Sequence, residues 1–231
     1  MNILALDTSG PVAGVAILRE GSVVHLTAMK YGHTHSQTVL PAVDRALEEC
    51  GLTCREIDVF AVVAGPGSFT GVRIGVCMAK GLAHAAGKPC CAVNALETLS
   101  MNCLGFDGWV CPILDARRDQ VYAAAFDTRD FVPRRVLEDQ AVKIEDFLAQ
   151  LPEGRLAFVG DGVPVQEKTL LRLLGERAAI MPANARDLRA DAAGVLAAAH
   201  PERWEDPRTL RPIYLRAPQA ERERMERMAR K

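Results

Sequence analysis

The stretch AVVAGPGSFTGVRIGVCMAKGLAHAAGKP, residues 61–89, decides the fold. An unbroken apolar run ends at Gly65, a Gly-Pro-Gly-Ser turn follows, and small and apolar residues then recur at helical spacing. A run that is apolar throughout reads as a strand buried on both faces, in a sheet covered by helices. A helix over 70–86 would open at the turn with free N–H groups and the positive end of its dipole, which suits phosphate. Spacing argues against the two common phosphate loops. The lysine-bearing loop needs GxxxxGK, yet Thr70 stands five residues after Gly65 and the next lysine is Lys80. GxGxxG fits Gly65 and Gly67 but meets Thr70 in its third place, with Gly71 one residue late. An anion on the amides of residues 68–71 stays open, and a tight turn without a ligand is the plainer reading.

The helix itself carries a stripe: Gly71, Gly75, Ala79, Ala83 and Gly87 fall every fourth residue. Interior glycines cost about 1 kcal/mol each against alanine, so a close backbone approach should offset them. Packing on the chain's own sheet and packing on a second subunit fit the stripe equally well.

Working outward, NILALDT (2–8), VAGVAIL (12–18) and SVVHLTAM (22–29) read as three strands joined by tight turns. Apolar residues at 39, 40, 43, 46, 47 and 50 predict a helix over 36–50, capped by Ser36, ended by Gly51 and bent at Pro41. DVFAVVAG (58–65) and PCCAVN (89–94) complete the strands of the first half. WVCPILDARRDQVYAAAF (109–126) then repeats the opening plan of apolar run, Asp, polar turn and apolar return, with Asp115 in the place of Asp7. A helix near IEDFLAQL (144–151), a strand RLAFVG (155–160) and helices over 164–174 and 186–199 follow. The tail PQAERERMERMARK reads as a solvated charged helix with Glu223–Arg227 and Glu226–Arg230 at i,i+4 spacing.

Composition sets outer limits. The 231 residues are 49% hydrophobic and 25% charged, with 28 basic against 29 acidic side chains. That balance argues against a strong nucleic-acid binder acting alone, the basic tail (Arg222, Arg224, Arg227, Arg230, Lys231) included. The N-terminus lacks a basic leader, and no apolar run approaches the ~20 residues of a bilayer span. Seven cysteines, in apolar settings such as Cys77, Cys90 and Cys91 and without a CxxC pair, read as mostly buried reduced thiols of a cytoplasmic protein.

The segments LALDTS, HSQTVLPAVD, AGPGSFTGVRIGVCMAKGLA, LDARRDQVYAA, FVGDG and RPIYLRAPQAE closely resemble the TsaB (YeaZ) family of bacterial tRNA threonylcarbamoyladenosine biosynthesis proteins. The resemblance covers nearly the whole chain. It implies an α/β, actin/hexokinase-like (ASKHA) fold of two duplicated halves. The divisions expected are 1–104, 105–205, and a C-terminal segment 206–231 that packs back on the first half. It also implies a subunit without transfer chemistry, which pairs with a TsaD-like catalytic subunit and a TsaE-like ATPase and meets tRNA only through that complex.

The residues agree with missing chemistry. The related transferases hold a metal through HxxxH, whereas His33 and His35 are two apart and Val39 stands four beyond His35. No metal and no cofactor are expected. Nucleotide-using members of the fold carry Asp-x-Gly at both hairpins, where Asp7-Thr8-Ser9 and Asp115-Ala116-Arg117 stand here. A vestigial phosphate cleft is therefore expected at Asp7, Thr8, Ser9, Ser68, Asp115 and Arg117. The resemblance implies partner docking by the helices over 36–50 and 70–86, with Val39, Val43, Val72, Arg73, Val76 and Lys80 as the interface, and a homodimer when the chain is alone. The competing reading is an actin-like-fold nucleotide-dependent enzyme or metallopeptidase acting by itself.

Overall fold

The computed structural model describes residues 1–30, 34–130 and 132–216. The first half opens with β1 (Asn2–Asp7), β2 (Ala13–Arg19), β3 (Ser22–Met29) and α1 (His35–Glu49). It continues through β4 (Val59–Gly65), α2 (Phe69–Ala86), β5 (Cys90–Asn94) and α3 (Ala95–Ser100). The second half holds β6 (Trp109–Asp115), β7 (Gln120–Asp127), β8 (Arg134–Lys143), α4 (Ile144–Leu148), β9 (Leu156–Val159), α5 (Val163–Leu174) and β10 (Ala178–Ile180). The chain then forms α6 (Ala190–Ala199) and the short β11 (Trp204–Glu205).

The two sheets share one plan. The first runs β11-β5-β4-β1-β2-β3 and the second β10-β9-β6-β7-β8. In each, the opening three strands are antiparallel neighbours and the next two add in parallel on the other side. Asp7 pairs with Gly14 and Asp115 with Val121, so each aspartate closes the first strand of its half. This is the duplicated actin/hexokinase-like architecture.

Each sheet covers its outer face with its own helices. Val39, Val43, Ala46 and Leu47 of α1 join Val72, Val76, Ala79 and Ala83 of α2 against β1, β2 and β4. Phe147, Val163 and Leu170 do the same for the second sheet. Between the halves lies a third apolar cluster, in which Ile3, Val63 and Val93 meet Val110, Phe126 and Val159, together with Leu96, Leu99, Ala193 and Leu196. Full burial of a Leu, Ile or Phe is worth ~1.5–3 kcal/mol, so this seam joins the halves firmly.

Helix ends follow the local chemistry with small shifts. Gly51 (φ 62°) and Gly87 (φ 68°) leave α1 and α2 in the left-handed region and complete the terminal hydrogen bonds, as Leu52 N–H to Leu47 and Lys88 N–H to Ala83. Thr34, not Ser36, occupies the N-cap of α1. The helix expected over 186–199 starts only at Ala190. It packs on β1, β2 and β4, and β11 pairs with β5, so the stretch from residue 190 to 205 belongs with the first sheet and not with the second half. The charged tail helix expected over 218–231 lies outside the described residues.

Candidate functional site

The glycine turn is filled by the chain's own backbone. A Cβ at Gly67 would lie 2.4 Å from the Ser9 carbonyl oxygen, and one at Gly71 would lie 2.0 Å from that of Thr8. At Gly65 it would meet the Ile213 carbonyl at 2.5 Å, and at Gly75 the Thr8 hydroxyl at 2.5 Å. Three of these four neighbours are carbonyl oxygens, which repel phosphate. Three amides are engaged as well: Ser68 N–H donates to Ser9, Gly71 N–H to the Ser68 hydroxyl, and Val72 N–H to the Ser68 carbonyl. The turn therefore clasps the β1–β2 hairpin to α2. The small-residue stripe is settled in the same way, since Gly71, Gly75, Ala79 and Ala83 all face the first sheet and are buried there.

A cleft of about 470 Å³ opens between the two Asp-bearing hairpins. Of the six residues expected there, Ser9, Ser68, Asp115 and Arg117 line it. Asp7 and Thr8 lie fully buried behind it, and the Thr8 hydroxyl donates to the Gly71 carbonyl at 2.6 Å. Asp7 Oδ1 accepts the Ser9 N–H (2.8 Å) and hydroxyl (2.7 Å), while its Oδ2 is buried without a hydrogen-bond partner among the described residues. Desolvation pushes the Asp7 carboxyl up to about 6 against the lowering effect of the Ser9 bonds and the nearby His35. Across the cleft, Asp115 accepts the Arg117 N–H at 2.8 Å and pairs with its guanidinium at 3.2 Å. Asp161 accepts the Asp115 N–H at 3.0 Å, and burial raises its carboxyl, with the neighbouring Asp115 adding to the shift. Arg117 thus turns back onto its own hairpin's aspartate.

Among the described residues no group of three or more His, Cys, Asp or Glu side chains could hold a metal ion. His35 Nε2 sits 2.9 Å from the Gly10 carbonyl oxygen, and His25 and His200 pair with Glu49 and Glu202. His33 lies outside the described residues.

The docking residues expected on the two helices need correction. Val39, Val43, Val72 and Val76 are buried in the chain's own core, because the apolar faces of α1 and α2 are the faces that hold the sheet. The exposed face is a different one: Leu40, Pro41 and Asp44 on α1, and Phe69, Thr70, Arg73, Cys77 and Gly81 on α2. Cys77, expected in an apolar setting, is exposed here, while Cys90, Cys91, Cys103 and Cys111 are buried. The Arg73 guanidinium lies 3.9 Å from the Phe69 ring centroid, and its Nε donates to the Tyr214 hydroxyl at 2.8 Å. Lys80 donates to the carbonyls of Arg208 (3.4 Å) and Leu210 (3.2 Å), so it anchors the C-terminal segment. Gly81 differs from the other α2 glycines, since a Cβ there would meet nothing within 4 Å among the described residues. Sequence reasoning missed Phe69, Tyr214 and Gly81; RPIYLR marked the C-terminal segment, but nothing in its spacing names what it touches.

Fold and cleft together define a two-half actin/hexokinase-like protein with Asp-Thr-Ser and Asp-Ala-Arg at its paired hairpins. Comparison with known proteins narrows this class. The family described as "TsaD: tRNA N6-adenosine threonylcarbamoyltransferase" matches residues 29–229. The "tRNA threonylcarbamoyladenosine biosynthesis protein TsaB" of Bacillus subtilis is 36% identical over 225 residues, covering 96% of each chain. That of Haemophilus influenzae is 31% identical over 172 residues, covering 70% of this chain and 72% of its own. The solved structure of YeaZ from Pseudomonas aeruginosa superposes with a TM-score of 0.80 at 27% identity, over 93% of this chain and 99% of that one. The chain belongs to the TsaB (YeaZ) family of tRNA threonylcarbamoyladenosine biosynthesis proteins.

Proposed function

We propose that the protein is a non-catalytic subunit of the tRNA threonylcarbamoyladenosine-forming complex. It docks and activates a TsaD-like transferase, helps recruit a TsaE-like ATPase, and meets tRNA only through them, in the cytoplasm. Alone, the same face pairs with itself as a homodimer. The observation that carries this reading is Gly81. It is exposed in the middle of an 18-residue helix with open space beyond its Cα. Such a glycine costs about 1 kcal/mol against alanine and has no offset among the described residues. A helix of a partner lying close across Arg73, Cys77 and Gly81 supplies one. Support for the missing chemistry comes from the glycine turn, where the chain's own carbonyls occupy the space beside Gly65, Gly67 and Gly71 and the Ser68 amide is bonded to Ser9.

The test is reconstitution with the transferase and ATPase of the same organism. Threonylcarbamoylation of tRNA should depend on this chain, and the chain alone should neither turn over ATP nor bind ATP–magnesium or zinc stoichiometrically in calorimetry and metal analysis. Modification that proceeds equally well without it, or turnover by the chain alone, contradicts the reading and favours an independent enzyme.

A further inference from the structure

The chain runs from β11 back across α2 and then across the mouth of the cleft. Leu210 is fully buried among the α1 and α2 core residues, beneath the two Lys80 hydrogen bonds. Ile213 N–H donates to the Ala64 carbonyl at 2.7 Å, and its own carbonyl fills the place of a Gly65 side chain. Tyr214 packs on Phe69 with ring centroids 5.3 Å apart and accepts the Arg73 hydrogen bond. Two residues on, Arg216 Nη1 donates to the Ala116 carbonyl at 3.3 Å, on the second half. Tyr214, Leu215 and Arg216 face Asp115 and Arg117 across the cleft. One short segment is therefore fixed to β4 and α2 at one end and to the β6–β7 hairpin at the other.

The far anchor is a strained element. Arg117, Arg118 and Asp119 have φ of 63°, 54° and 57°, three consecutive side-chain-bearing residues in the left-handed region. Two backbone bonds close the hairpin, Ala116 N–H to Gln120 (3.0 Å) and Gln120 N–H to Arg117 (3.2 Å). A hairpin whose tip is held in the left-handed region opens locally before the rest of the fold, so its opening should respond to the load on Ala116.

We propose that Leu210–Arg216 is an inter-half strap that couples the first turn of α2 to the 115–120 hairpin, so that whatever grips the Phe69–Arg73–Tyr214 ledge also sets how readily this hairpin, the far wall of the cleft, opens. The coupling within the chain stands alone; the clause about a gripping partner rests on the docking reading above. Linkage makes the coupling reciprocal: loosening either end must loosen the other.

Amide hydrogen exchange by NMR on the full chain, without partners, tests this. In Tyr214→Ala the amides of Ala116 and Gln120 should exchange about tenfold faster, although Tyr214 is not hydrogen-bonded to the hairpin, and Tyr214→Phe should give a smaller change. Amides of β9 should be unchanged. Arg216→Ala, which cuts the far end and leaves the α2 ledge intact, should speed exchange at Ile213. Unchanged hairpin exchange in Tyr214→Ala overturns the proposal, as does uniform acceleration across both sheets, which marks general destabilisation. Should Tyr214→Ala not fold, unchanged Ile213 exchange in Arg216→Ala overturns it equally. The docking reading fails separately, through absence of a complex while the exchange coupling persists.

Discussion

Asp7 carries a carboxylate that folding removes from water and only half satisfies, since Ser9 bonds one oxygen and the other has no partner among the described residues. Folding therefore favours its proton. An acid whose folded pKa is raised adds stability that is whole below the unfolded value of 3.8 and is lost as the pH rises through about 6. At 1.36 kcal/mol per unit, ionised Asp7 costs on the order of 3 kcal/mol against the protonated form. Asp7→Asn keeps the shape and removes the titration. Thermal unfolding from pH 3.5 to 8 should show near-equal stability at the acid end, an advantage for the variant that grows between about pH 4 and 6, and a constant difference above that. Parallel curves would refute this assignment. The difference between the two proteins is the informative quantity, because it isolates the carboxyl. The position of this aspartate at the end of a strand is legible in LALDT, and its echo in PILDA marks the duplication. Its burial is not legible, because it arises from α2 and the 65–75 turn closing over the hairpin.

At the scale of elements, α2 holds two kinds of glycine that sequence spacing does not separate. Gly75 lies under Thr8 and Val62, and Gly81 lies under none of the described residues. Gly75→Ala should destabilise by about 1–3 kcal/mol through overpacking against the Thr8 hydroxyl. Gly81→Ala should stabilise by about 1 kcal/mol, because it restores helix propensity at no steric cost. Chemical denaturation of the two variants checks both signs, and a destabilised Gly81→Ala would mean that the site is not open in the free protein. The four-residue stripe points correctly to close packing, yet a period of four is the same whether the neighbour is a sheet or a second chain. Val39, Val43, Val72 and Val76 were legible as one face of each helix, but only the tertiary arrangement makes that face the inner one. Elsewhere β8 escaped detection because RRVLEDQAVK carries charges along an edge strand, whose one open side tolerates them. In α6, ADAAGVLAAA is apolar nearly all round and gives no directional signal for which sheet it joins.

At the scale of the molecule, the first half is completed by chain that arrives last. Glu97 of α3 is almost fully buried and accepts two hydrogen bonds from Arg203 Nη1, at 3.1 and 2.9 Å, just after α6. Trp204 Nε1 adds a bond to the Ala197 carbonyl at 2.8 Å. Arg203→Ala leaves a buried carboxylate without its partner and should cost about 2–3 kcal/mol, below the full buried-pair range because the arginine is partly solvated. Arg203→Ala with Glu97→Gln should recover part of that loss in equilibrium unfolding. The whole body is thus a firmly joined pair of halves whose glycine turn is used for internal packing, with one helical face left outside. The measurement that bears most directly on this account is the affinity of the intact chain for the TsaD-like transferase of its own organism, compared with Gly81→Trp. The account predicts a stable complex for the natural sequence and at least a hundredfold weaker binding for the variant, on the order of 3 kcal/mol, with the variant's fold and unfolding temperature retained. Equal affinity of the two, or no complex with either, would contradict it.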